Sequence, residues 1–111
     1  MESRERSVRY YQTKSGAIPF RDWRSGFFDK RTRAAIDVRV TRIRSGNLSD
    51  SRPVGAGVSE SRIDFGSGYR IYYGAHGDLI ILLCGGDKAS QDADIKLARD
   101  YWKDYKKRVE S

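Results

Sequence analysis

Residues 61–88 read SRIDFGSGYRIYYGAHGDLIILLCGGDK. Three β-rich runs lie so close together that only short turns can join them, which makes antiparallel strands the frame of the chain. SRIDF passes into GYRIYYG through the glycine turn FGSGY. AHGD is a tighter turn in which Gly77 can take a positive φ. DLIILLCGG is apolar throughout, as expected of a central strand. Yet Arg62 and Arg70 sit inside these strands and Lys88 follows directly. Long cations among core-like residues need either a wet face or a task.

The flanks supply the remaining elements. SVRYYQT, residues 7–13, reads as a first strand and KSG as a turn. Pro19 suits the first turn of a short helix, IPFRDWRSGF, with Phe20, Trp23 and Phe27 inward. Asp29 is a plausible N-cap for KRTRAAIDVRVTRIRS. Ile36, Val40 and Ile43 form one stripe of that helix, and Gly46-Asn47 stops it. Lys30, Arg31, Arg33, Arg42 and Arg44 are assigned to its basic outer side. Residues 48–60, LSDSRPVGAGVSE, read as a glycine-containing loop. Gln91 to Glu110 reads as a closing helix with Ile95, Ala98, Trp102, Tyr105 and Val109 as its stripe. The order is β-α-α-β-β-β-α. It predicts a single α+β domain over 1–111, with helices on one face of a mostly antiparallel four-stranded sheet.

Strand alternation then bears on the cations. With Ile63, Phe65, Ile71 and Tyr73 inward, Arg62, Asp64, Arg70 and Tyr72 point to the other face. A turn centred on Ser67 sets Asp64 opposite Arg70 and Arg62 opposite Tyr72. One reading is a solvated face with a cross-strand ion pair. The other is an open face that offers two guanidinium groups and an aromatic ring to RNA. Spacing alone leaves both open.

The charge balance narrows the partners. Lys and Arg number 22 against 15 Asp and Glu, a formal charge of +7 on 111 residues. Such a domain suits a polyanion, most often nucleic acid, although a well-solvated surface gives the same count. No helix pairs a broad apolar face with a purely cationic one, which argues against a membrane-surface binder. The longest apolar run, Leu79 to Cys84, is too short to span a bilayer, and MESRERSVRYY lacks the apolar core of a secretion signal. Cys84 reads as a buried thiol of a reduced, cytoplasmic protein, since the one histidine, His76, sits elsewhere.

The run from Val58 to Lys88, followed by QDADIKLARDYWKDYK, resembles the toxins of the RelE/ParE superfamily. It most resembles the HigB-like branch, whose members are often labelled addiction module killer proteins. The carrying motifs are an E-x-R strand, a G-Y-R-I-Y-Y strand, an apolar strand ending in a glycine-rich D-K, and the helix A-x-x-Y-W-x-D-Y. The resemblance implies a RelE-like fold and the toxin of a type II toxin–antitoxin pair, cutting mRNA on the ribosome without metal or cofactor. By position it implies Arg62 and Arg70 as clamps on the phosphate and Lys88 as a third cation able to transfer a proton. Tyr72 and Tyr105 are its candidates for stacking on bases, Tyr105 alternatively for the core or as an acid. His76 is a turn residue or a base, and Asp87 holds Lys88 or caps the last helix. No histidine matches the one some relatives use. The resemblance also implies a cognate antitoxin, a helix-turn-helix protein. The basic side of the second helix, with Arg33, Arg42 and Arg44, is the expected docking face, and a segment across the sheet face over Arg62, Arg70 and Lys88 is the alternative. The toxin would be a monomer alone and a hetero-oligomer with its antitoxin. Two further readings stand beside the nuclease: a poison of DNA gyrase on the same fold, and an RNA-binding module without catalysis.

Overall fold

The computed structural model describes residues 5–110, in which the elements are β1 (Ser7–Tyr10), α1 (Pro19–Ser25), α2 (Lys30–Arg44), β2 (Ser51–Gly55), β3 (Val58–Arg62), β4 (Arg70–His76), β5 (Leu79–Gly86) and α3 (Gln91–Glu110). The class is α+β. The sheet has five strands in the order β1-β5-β4-β3-β2, with β1 parallel to β5 and the other pairs antiparallel. The expected four-stranded sheet is therefore corrected to a five-stranded mixed one. The added strand comes from the segment read as a loop. Gly55, Ala56 and Gly57 take φ of 97°, 57° and 85°, which folds SRPVG back onto β3 as a hairpin. Pro53 is tolerated there because β2 is an edge strand.

The helices do not share one face, which is a second correction. Ile80 and Leu82 pack with Phe20, Ile36, Ile43, Ile63, Ile71 and Tyr73, on the side of α1 and α2. Ile81, Leu83 and Cys84 pack with Tyr11, Val58, Tyr72, Ala98 and Trp102, on the side of α3. A strand apolar on both faces needs cover on both, and β5 has it. Leu83 and Cys84 face the same way because the β4–β5 pairing slips by one residue between Tyr72 and Tyr73. Such a bulge reverses the alternation beyond it. It turns Gly85 toward Trp23 and Gly86 toward Asp94.

Local signals hold well in the helices. Asp29 caps α2, its side chain accepting from the Arg31 amide at 3.0 Å. The end of α2 closes as a Schellman motif. Gly46 lies at φ 88°, its amide bonds the Ile43 carbonyl, and the Asn47 amide bonds the Arg42 carbonyl. Among the described residues no helix is long and apolar enough to cross a membrane.

Candidate functional site

The candidate site is built from two adjacent rows across the α3 side of the sheet. Arg52 pairs with Glu60, which pairs with Tyr72. One step along, Arg62 pairs with Arg70, which pairs with Gly86. This corrects the expected register. Arg62 lies opposite Arg70, not Tyr72, and Asp64 falls beyond the end of β3, outside the ladder. Directly opposed residues of antiparallel strands share a face, so Arg62 and Arg70 stand side by side.

The floor of the site is a buried carboxylate. Glu60 is 3% exposed. It accepts from Arg52 Nε, the Tyr72 hydroxyl and Gln91 Nε2, each at 2.9 Å. Burial alone would raise its pKa. The bonds from Gln91, Arg52 and Tyr72 outweigh that and hold it below the ordinary carboxylate value. Gln91 is the first residue of α3, so the start of that helix is tied to the floor.

Arg70 is also buried, at 5% exposed. Its Nη1 donates to the Gly68 carbonyl. Its Nε lies 3.7 Å from Glu60 Oε2, within ion-pair range but without a hydrogen-bond partner. An unsatisfied buried donor costs about 1–3 kcal/mol. Arg62, by contrast, is exposed. Together with Asp50, Arg52, Glu60 and Gln91, the two arginines line an open cleft of about 410 Å³. Arg62 also borders an adjoining hollow of about 390 Å³, formed by residues 63–68 and Lys88. The Lys88 amide donates to the Ser67 carbonyl at 3.4 Å, which keeps this exposed lysine beside the β3–β4 connection. Arg62, Arg70 and Lys88 therefore converge on one end of the sheet.

The other expected contacts do not join them. Tyr72 is fully buried under α3 with its hydroxyl on Glu60, so its ring is not open to a base. The reason is the placement of α3 on the face expected to be bare. His76 is exposed at the far end of β4, six residues and about 20 Å from Arg70. Tyr105 lies about 21 Å along α3 from Gln91, stacked on Trp102 with ring centroids 5.3 Å apart. It belongs to the core stripe. Asp87 helps to cap the last helix. Its Oδ1 accepts from the Ser90 amide at 3.1 Å, and its own amide donates to Ser90 Oγ at 3.3 Å.

The basic side of α2 is corrected as well. At 100° per residue, Arg33 and Arg42 lie about half a turn apart, so Arg33, Arg42 and Arg44 do not form one patch. Arg33 bonds the Phe27 carbonyl, and Arg42 sits 4.0 Å from Asp50. The sequence also conceals Arg39, which is 8% exposed and bonded to Asp50 at 2.6 Å.

Asp50, Arg52, Glu60 and Gln91 are cleft residues that sequence reading did not single out, and Asp94 stands next to their row. Arg52 was hidden in an apparent loop. Asp94 lies over Gly86, where an added Cβ would fall 1.7 Å from its Oδ2. Burial raises its carboxyl pKa and Asp87 adds to the shift, against a lowering bond from Ser90. The bulge in β5 sets that placement, and a bulge leaves no composition signal. Cys84 is buried as expected, with its thiol pushed up to about 12 by burial and then by the Asp94 charge. It is held as an unreactive thiol. Among the described residues no group of three His, Cys, Asp or Glu side chains is placed to hold a metal ion.

No family model matches the chain, and no solved structure matches it. An uncharacterized protein of Haemophilus influenzae is 46% identical over 83 residues, which covers 74% of this chain and 84% of that protein. The chain belongs to the same family as this Haemophilus influenzae protein.

Proposed function

We propose that the protein is the toxin of a type II toxin–antitoxin pair, of the RelE/ParE superfamily and its HigB-like branch, and that it cuts mRNA on the ribosome in the cytoplasm. The observation that carries this reading is that Arg62 and Arg70 line one open cleft over a buried carboxylate, while Arg62 and Lys88 line the hollow that adjoins it. The same three positions are those the sequence resemblance marks.

In such a cut the ribose 2′-oxygen forms a bond to the adjacent phosphorus and the bond from phosphorus to the 5′-oxygen breaks. The 2′-hydroxyl loses a proton and the leaving 5′-oxygen gains one. Negative charge builds on the phosphate oxygens meanwhile. Arg62 and Arg70, side by side, are suited to neutralise it, and Lys88 adds a third cation at the rim. Glu60 is a poor proton acceptor, because its hydrogen bonds favour the ionised form. Its task on this reading is to hold Arg70 by charge. The ribosome supplies the aligned mRNA backbone, so the free protein cuts naked RNA slowly. A toxin of this kind requires an antitoxin, and an acidic segment suits the +7 charge.

The test is growth arrest on induction. Arg62 and Lys88 are exposed, so truncating either leaves no cavity. Arg62→Ala and Lys88→Ala are expected to relieve arrest while the melting temperature stays nearly that of the wild type. Full toxicity in both variants would remove the cleft from the account.

A further inference from the structure

Arg52 stands on β2, directly opposite Glu60, and lines the same cleft as Arg62 and Arg70. Its side chain is 64% exposed while that of Glu60 is 3% exposed. The contact between them is one bond, Nε to Oε1 at 2.9 Å. Among the described residues its two terminal amino groups have no partner. A guanidinium present only to neutralise a buried carboxylate is best placed with a two-pronged contact. Here one donor anchors the group to a floor that Tyr72 and Gln91 also fix, and the rest of the fork remains in the cleft.

Spacing gives that free fork a target. Arg62 and Arg70 are directly opposed, with Cβ atoms about 5 Å apart, close enough to share one phosphate. Arg52 is the diagonal neighbour of Arg62, about 7–8 Å away. That offset matches a step from one phosphate to the next along an extended strand. Arg70 lines the cleft beside Arg62, with its Nε toward Glu60 Oε2 at 3.7 Å.

We propose that Arg52 is a further substrate-binding residue, oriented by Glu60 to take the phosphate next to the one held by Arg62 and Arg70. The cleft then grips two successive phosphates of a single RNA strand. This rests on the reading of the cleft as an RNA site.

The experiment titrates the full chain, by nuclear magnetic resonance, with 2′-O-methyl uridine oligonucleotides that cannot be cut. One probe carries a single internucleotide phosphate and the other carries two. In the wild type the second phosphate is expected to raise affinity about tenfold, the scale of a hydrogen bond to a charged group. Arg52→Gln is expected to abolish that gain while binding the shorter probe as the wild type does. The slope of log affinity against log salt for the longer probe should fall by about 0.7, one phosphate contact on a single strand. If Arg52→Gln lowers only the melting temperature and keeps the gain, Arg52 serves Glu60 alone and the inference fails. The cleft itself then still stands, provided that Arg62→Ala weakens both probes. If the wild type binds neither probe, or Arg62→Ala and Arg52→Gln both bind as the wild type does, the inference falls together with the RNA reading.

Discussion

Glu60 is the residue on which the site depends. Replacing it with alanine strands the Tyr72 hydroxyl and leaves Arg70 buried with its nearest counter-charge gone. Glu60→Ala is expected to destabilise the fold by about 3 kcal/mol or more, the scale of breaking a buried pair, as read from the denaturant midpoint. A loss under about 1 kcal/mol would show that the network is not held as described. The pH response follows from its lowered pKa. A carboxyl whose folded pKa lies below its unfolded value contributes fully above about pH 4.3, and that contribution is lost as pH falls through the folded pKa. Asp50, bonded by Arg39, and Asp104, bonded by Tyr11, shift the same way. Glu60→Gln should therefore flatten part of the acid limb of the stability profile, and an unchanged limb below about pH 4 would contradict the assignment. At this scale the sequence was partly legible. Arg62 and Lys88 stood out as cations where the pattern called for core. Glu60 was visible in the E-x-R strand, but its burial was not. Alternation tells which residues share a face and says nothing of what covers that face. The same gap misplaced Tyr72.

Elements were legible where local chemistry decides them and illegible where long-range cover does. Asp29, Pro19 and Gly46 fixed the ends of α1 and α2 as their residue types predict. The segment SRPVG looked like a loop because proline and glycine weaken a strand reading, yet an edge strand accepts both. The sides taken by α3 and α1 are marked by two tryptophans, Trp102 and Trp23, that lie over glycines on opposite faces of the sheet. A Cβ at Gly74 would fall 2.4 Å from Trp102 Cε3, and one at Gly85 would fall 2.2 Å from Trp23 Cε3. Neither glycine has a positive φ, so space alone requires them. Gly74→Ala and Gly85→Ala are each expected to cost about 1–3 kcal/mol through overpacking. In Gly74→Ala the loss should shrink when Trp102 is also changed to leucine, since the two substitutions share one contact. Strict additivity of the two in thermal melts would place α3 elsewhere.

At the scale of the molecule, the fold brings Arg52, Arg62, Arg70 and Lys88 to one end of a twice-covered sheet. The covering helices also explain why the rest of the expected contact surface is absent from that end. α3 ties its first residue to Glu60 and buries Tyr72, and its length carries Tyr105 to the opposite end. What stays open is a short cleft lined by Arg52, Arg62 and Arg70 with Asp50 and Glu60, which on the proposed reading takes a few nucleotides of backbone presented in extended form. On the proposed reading, the excess of positive charge on the chain suits a polyanionic substrate and an acidic partner alike. The central claim is cleavage of ribosome-bound mRNA through that cleft. Its most direct measurement is the mapping of mRNA 5′ ends in cells after a short pulse of expression, with wild type and Arg62→Ala side by side. The account predicts new 5′ ends phased with codons in the wild type and their loss in the variant. Intact mRNA together with altered DNA supercoiling, or codon-phased ends that persist undiminished in Arg62→Ala, would contradict it.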